Sequence, residues 1–252
     1  MAVHVLPVPG LPAIRPGDDL AALLAAAIEE ARLGAKDGDV LVVCQKVVSK
    51  AEGRVVSLAG VEASELARTW AAANDKDPRL IELVLRESAR IVRMDGGNLI
   101  VETKSGWVCA NAGIDQSNAT EADHVTLLPV DADASAARLR ASLEKRLGAR
   151  LAVIVTDTFG RPWRNGQIEF SIGVAGIEPL ADLRGTNDMN GRELGVTVLA
   201  TADAIAAAAG LVMEKSAGIG AVLVRGCQVV RTEGDGPGAR SLVRPREADL
   251  FR

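Results

Sequence analysis

Apolar residues recur along this chain with two different spacings, and the two alternate. The stretch LAALLAAAIEEARLG (20–34) is rich in Ala and Leu, follows possible N-caps at Asp18 and Asp19, and stops at Gly34, which predicts a helix. DVLVVCQKVVS (39–49) is β-branched and follows the turn Asp37-Gly38, so it reads as a strand. Two helices are expected over 62–74 and 77–93, split by Asn-Asp-Lys-Asp-Pro at 74–78. NLIVETKSGWVCA (98–110) predicts a hairpin turning at Lys104-Ser105-Gly106, and HVTLLPV (124–130) another strand. ASAARLRASLEKRLG (134–148) is an amphipathic helix ended by Gly148. A strand over 151–155, a strand pair at 168–177 and 195–200, a helix at 202–215 and a strand at 221–226 complete the series.

Strands and helices are mixed without a strict βαβ rhythm. The expectation is an α+β fold with mixed sheets and packed helices, one domain over residues 1–252 with no repeat or linker. A chain of 252 residues, 48% hydrophobic, can bury a full core as one large domain or two lobes. Its net charge of −4 comes from interspersed acids and bases, unlike the basic face of a nucleic-acid binder. Aromatics are 2% with no tyrosine, so base-stacking platforms are scarce as well. Cys44, Cys109 and Cys227 show no CxxC spacing and sit in apolar runs, as reduced, buried thiols of a cytosolic protein would. No apolar stretch approaches the ~18 residues of a membrane span, and MAVHVLPVPGLPAI lacks the pattern of a signal peptide.

Neither GxxxxGK[ST] nor a GxGxxG between strand and helix occurs, so any bound nucleotide would rely on charged side chains and metal. His4 and His124 lie among strand residues and are poor candidates for a catalytic base. Four polar clusters remain. In the first, Gln45, Lys46 and Lys50 follow an apolar run; in an extended chain the two lysines share a face, suited either to phosphate or to a solvated edge. The second is ANAGIDQSN (110–118), where Asp115 and Asn118 lie in a loop that an Asx-turn would also explain. The third is IVTDTFGRPWRNGQ (154–167). Asp157 and Thr158 offer oxygen ligands for Mg²⁺ or Mn²⁺ at a strand's end, and Arg161 and Arg164 offer bidentate donors for carboxylate or phosphate. The fourth, DLRGTNDMNGREL (182–194), groups Arg184, Asn187, Asp188 and Arg192 around two glycines. Together they point to metal-assisted handling of a polyanionic phosphate substrate.

LPVPGLPAIRPGDDL, VCQKVVSKAEGRVV, CANAGIDQSN, DTFGRPWRNGQ and the GREL, VTVLA, ADAIAAAA and LVM stretches resemble, in content and order, the coenzyme F420-0:L-glutamate ligases. The resemblance covers essentially the whole chain. It implies a cytoplasmic homodimer with a two-lobed α+β fold and GTP-dependent ligase activity. L-glutamate would be joined through an acyl phosphate to the carboxylate of the deazaflavin precursor F420-0, with further γ-linked glutamates in many members. Mg²⁺ or Mn²⁺ at two sites, often with K⁺, is implied as well. Carried over by motif, Leu11, Pro12, Ala13, Ile14, Gln45, Lys50 and Asn118 resemble nucleotide contacts. So does the segment Met213, Glu214, Lys215, Ser216, Ala217, Gly218, Ile219 and Gly220. Asp115, Asp157 and Thr158 resemble the metal ligands; Lys50, Asp157, Arg161 and Arg164 are the expected catalytic set. The match departs at Asn165-Gly166-Gln167-Ile168-Glu169, where the family commonly has NGQTD, at Met189-Asn190 and at Glu214. The departures keep open an amide ligase for another phosphorylated carboxylate, or a nucleotide-binding homologue without ligase activity. Fused relatives continue beyond RPREADLFR into a flavin-binding nitroreductase-like domain, which is not expected here.

Overall fold

The computed structural model describes residues 2–116, 123–213 and 218–249. Strand β1 (His4–Pro7) leads through a loop to helix α1 (Leu20–Glu30), which starts where Asp19 accepts a hydrogen bond from the Ala22 N–H at 2.9 Å. Strand β2 (Val40–Cys44) then passes directly into helix α2 (Gln45–Ala51). The single strand expected over 39–49 is therefore corrected. After Cys44, burial falls on Gln45, Val48 and Ser49, a helical spacing that a short β-branched run disguises. Lys46 and Lys50 still share a face, now because they are i and i+4 on a helix.

Strand β3 (Val55–Ser57) precedes helices α3 (Glu65–Asn74) and α4 (Pro78–Glu87), capped by the side chains of Ser64 and Asp77. The second helix was expected to reach residue 93, but it stops at Glu87 and the chain continues as strand β4 (Ser88–Asp95). Burial alternates residue by residue along β4, and Gly96 and Gly97, at φ 55° and 75°, form a two-residue turn into strand β5 (Asn98–Thr103). Hairpin closure outweighs the helical signal there. Strand β6 (Val108–Ala110) completes this antiparallel sheet, and strand β7 (His124–Thr126), shorter than expected, pairs with β3.

Helix α5 (Ala132–Leu147) is capped by Asp131 and ends at Gly148 in the left-handed region, φ 66°. Strands β8 (Ala152–Arg161) and β9 (Arg164–Ala175) follow as one long hairpin. The run 154–167 is thus not a loop beyond a strand. It is most of one arm, a turn at Pro162-Trp163 and the start of the other arm, with Trp163 at φ 59°. Strand β10 (Leu180–Asp182) pairs with β11 (Val198–Ala200), so β9 is not the partner of the 195–200 segment as expected. Helix α6 (Thr201–Gly210) and strand β12 (Ala221–Arg225) finish the main body.

Five strands form the central sheet in the order β1-β12-β2-β8-β9, with β2 and β8 parallel and the other neighbours antiparallel. Alternate residues point to opposite sides. Leu41, Val43, Val153 and Val155 join α1 and α5 in one apolar cluster, while Val40, Val42, Ile154 and Val222 join α6 in another. Burial on both faces is why these strands are nearly continuous apolar runs. Helices α3 and α4 and the smaller sheets bury separate clusters around Ile81, Leu99 and Val125. The mixed α+β expectation matches this architecture.

Candidate active site

The parallel pair β2–β8 delivers two chain segments to the same edge, ending at the register partners Cys44 and Thr156. Beyond that point β2 turns into α2, while β8 continues, shifted by an irregularity between Val155 and Thr156. Asp157 and Thr158 are the first residues of β8 past the shelter of β2. They do stand at a strand's C-terminal end, but the strand is β2.

Lys46, one residue into α2, places its Nζ 2.6 Å from Asp115 Oδ2. Asp115 is held by two backbone hydrogen bonds with Thr126, at 2.8 and 2.9 Å, an isolated bridge on the edge of β7 opposite β3. Across the hairpin, Thr158 Oγ1 donates to Glu169 Oε1 at 2.5 Å, and Glu169 Oε2 is buried without a hydrogen-bond partner. Gly210, at the end of α6, makes room for Glu169: a Cβ there would lie 2.8 Å from Glu169 Cγ.

These groups share one electrostatic field. Burial pushes the Asp157 carboxyl from its ordinary 3.8 to about 7, opposed by a hydrogen bond from the Thr158 N–H. The charges of Glu169 and Asp115 push it further up, and Lys46 pulls it down. The Cys44 and Cys109 thiols are pushed up to about 12, chiefly by burial, with the Asp157 carboxylate acting in the same direction. Neither thiol is a nucleophile at neutral pH.

Asp115, Asp157, Thr158 and Glu169 offer oxygen donors of the kind that Mg²⁺ or Mn²⁺ prefers, while the neighbouring Cys44 and Cys109 thiols stay protonated. Among the described residues no three His, Cys, Asp or Glu side chains stand close enough to hold an ion as they are. The fit is instead one of charge. Glu169 has an unsatisfied oxygen, burial and then the charges of Glu169 and Asp115 disfavour the ionised Asp157, and a lysine ammonium occupies the cationic partner position beside Asp115. A divalent ion would meet each of those needs.

The segments expected to hold a nucleotide border this cluster. Leu11 and Ile14 pack against the same apolar cluster as Val47 and Ala51 of α2, while Pro12 and Ala13 are exposed. A Cβ on Gly220 would meet Val47 at 2.7 Å and Leu11 at 3.4 Å, so these segments meet over α2. Gln45 is fully buried; its Oε1 accepts from Ser49 Oγ at 2.9 Å and its Nε2 lacks a partner. Lys50 is half-buried one turn beyond Lys46. Met213 and Ile219 pack on the α6 side of the sheet, and Gly218 is exposed at φ 67°. Asn118, Glu214, Lys215, Ser216 and Ala217 lie outside the described residues. Arg161 lines a neighbouring cleft, and Arg164 is exposed at the hairpin tip, far along the strand from Asp157. Lys46, read from the sequence as half of a lysine pair suited to phosphate, and Glu169, read only as a departure from the family motif, belong to its charged centre. Glu169 left a trace in the sequence as an acid within NGQIE, but its role depends on the cross-strand register with Thr158.

Residues 10–226 match the family described as F420-0:gamma-glutamyl ligase. The chain belongs to this family. Relatives named coenzyme F420:L-glutamate ligase align with it end to end. The protein of Methanothermobacter thermautotrophicus is 42% identical over 253 residues, covering 100% of both chains. That of Methanopyrus kandleri is 45% identical over 99% of this chain and 98% of its own. That of Archaeoglobus fulgidus is 45% identical over 100% and 97%. The family match spans every charged residue of the cluster, from Lys46 to Glu169.

Proposed function

We propose that this protein joins L-glutamate to coenzyme F420-0 by an amide bond, using GTP and releasing GDP and phosphate. The observation that carries this reading is the end-to-end identity with relatives named for that ligation. The acidic cluster faced by Lys46, with Lys50 on the same helical face, supports it with suitable chemistry.

A carboxylate is a poor acyl donor, so the reaction needs two steps. First, an oxygen of the acceptor carboxylate bonds to the γ-phosphorus of GTP as the bond to the β–γ bridging oxygen breaks, and GDP leaves. Next, the glutamate amine bonds to the acyl carbon, the carbon–oxygen bond to phosphate breaks, and the nitrogen loses a proton to water. Repetition at the new γ-carboxylate would add further glutamates.

Within that scheme Lys50 presents its ammonium to the phosphates, and Lys46 screens Asp115 as anionic substrates approach. Leu11, Pro12, Ala13 and Ile14, with Met213, Ile219 and Gly220, border the nucleotide. Mg²⁺ or Mn²⁺ on Asp115, Asp157 and Thr158, with K⁺ nearby, would supply positive charge that lets phosphates and carboxylates meet. The working unit on this reading is a cytoplasmic homodimer. No helix among the described residues is long and apolar enough to cross a membrane.

The test is product mass after incubation with GTP, Mn²⁺, F420-0 and glutamate. The expected product is heavier than F420-0 by one or more glutamate residues, with phosphate released only when both substrates are present. Unaltered F420-0, or GTP turnover independent of it, rejects the reading.

A further inference from the structure

A groove beside the acidic cluster collects cations and aromatic rings that the reaction scheme leaves without a role. Its walls are the β5–β6 turn, the β8–β9 hairpin, and the segment 240–246. One part, about 270 Å³, is lined by Trp107, Phe159, Phe170, Arg161, Asp203 and Arg244 among others. The other part, about 350 Å³, is lined by Lys104, Arg240, Arg244 and Arg246 together with Glu102. Gly106, Val243 and Arg244 belong to both, so the two parts form one continuous groove.

Charge is the first argument. A chain of net charge −4 places five cationic side chains here. Of the two opposing acids, Glu102 is engaged by Arg90 at 2.7 Å, and Asp203 Oδ1 accepts from the Ser171 N–H at 2.9 Å. Among the described residues, none of the five cations forms an ion pair, and Arg161 Nη1 is buried with no hydrogen-bond partner. Like charges gathered without partners repel one another and favour an anion between them. Arg240, Arg244 and Arg246 follow residue 226, where the family match ends.

Shape is the second. The chain has only six Phe and Trp residues (3 + 3), and three of them line this groove. Phe159 and Phe170 are stacked, with centroids 6.0 Å apart and planes 25° from parallel, giving the cleft a flat apolar wall. A free phosphate would use the cations and leave this wall bare. A planar polycycle carrying an anionic arm uses both. GTP answers that description too, but Leu11 and Gly220, from two of the segments assigned to it, meet over Val47 of α2, whereas Phe159 and Phe170 flank Asp157 on the hairpin.

We propose that this groove binds the acceptor, with its fused ring against Trp107, Phe159 and Phe170 and its phosphate between Arg161 and Arg244. The inference rests on the ligase reading for the identity of that acceptor, and it makes Arg161, Trp107 and Arg244 positioning residues for it.

Steady-state kinetics of Trp107→Ala and Arg244→Ala test the assignment, with circular dichroism melts to establish that each variant folds. The KM for F420-0 should rise about ten- to hundredfold for Arg244→Ala, the loss of one charge-assisted contact, and at least severalfold for Trp107→Ala. The KM for GTP should stay the same in both. An unchanged KM for F420-0 in the folded variants, or a matching rise in the KM for GTP, overturns the proposal. If the wild type ligates nothing, the reaction reading fails and titration with flavin mononucleotide, a planar tricyclic phosphate, judges the groove alone. Binding to the wild type that both variants lose retains the groove; absence of binding then overturns it.

Discussion

Lys46 Nζ lies 2.6 Å from Asp115 Oδ2, joining the first turn of α2 to the bridge beside β7. The pair is mostly buried and stands within the field of Asp157 and Glu169, so Lys46 offsets more than its direct partner. Its removal leaves carboxylates facing one another in a medium that screens them poorly.

Lys46→Met is therefore expected to destabilise the metal-free protein by about 1–3 kcal/mol near pH 8, below the cost for a fully buried pair because both side chains keep some exposure. Near pH 5, where Asp157 is protonated, the loss should be smaller. Urea unfolding at the two pH values checks this, and equal losses at both would mean Lys46 does not act through the carboxylates' charge.

Asp157 gives the protein a pH dependence of known sign. Its folded pKa of about 7 exceeds the unfolded value of 3.8, so the folded state holds the proton more tightly. The associated stability is fully present below pH 3.8 and is lost as pH rises towards 7. Metal-free protein should thus grow less stable between pH 4 and 7 by an amount on the order of 2–4 kcal/mol from this group. Asp157→Asn should lack that component, melt at or above the wild-type temperature near pH 8, and lose Mn²⁺ affinity and turnover together. A destabilised variant with wild-type Mn²⁺ affinity would remove Asp157 from the metal site and return it to a structural pairing.

Lys50→Ala should fold normally and bind GTP ten- to hundredfold more weakly, as expected when a charge-assisted phosphate contact worth ~1.5–3 kcal/mol is lost. Calorimetric titration with GTP reads this directly. Wild-type affinity would make Lys50 an ordinary surface lysine.

Gly173 tests how α5 seats against β9. A Cβ there would lie 2.2 Å from the Ala132 carbonyl oxygen, a backbone atom that cannot swing aside. Gly173→Ala should cost about 3 kcal/mol, at the upper end for overpacking, with a lowered melting temperature. Unaltered thermal stability would show that α5 can shift without loss.

A homodimer could bury the exposed apolar side chains around β10 and β11. Met189 is 97% exposed and Val196 89%, both between β10 and β11, and Leu199 within β11 is half exposed. Light scattering at micromolar concentration should report twice the 26.3 kDa chain mass, and Val196→Asp should lower it. A monomeric wild type would refute the dimer.

Much of this protein was legible in its sequence because local chemistry decides it. Asp19 caps α1 as its position before an apolar-periodic segment indicates, and Gly148 ends α5. The strands at 40–44, 152–155 and 221–225 announced themselves as apolar runs, since a sheet covered on both faces demands them. The polar clusters around Asp115 and Asp157 were likewise visible, as polar residue types crowded after apolar runs.

Partnership was not legible. Whether 45–51 continues β2 or turns into α2 depends on what packs over Val48 and Ser49, and residues 88–93 became a strand because β5 was there to pair with them. Glu169 meets Thr158 only through the β8–β9 register, and Lys46 meets Asp115 only because α2 and the β7 bridge are carried to the same end of the central sheet. The near-neutral titration of Asp157 is likewise a product of assembly. Desolvation and the field of distant carboxylates do not exist until the chain has folded, so composition and local pattern carry no record of them.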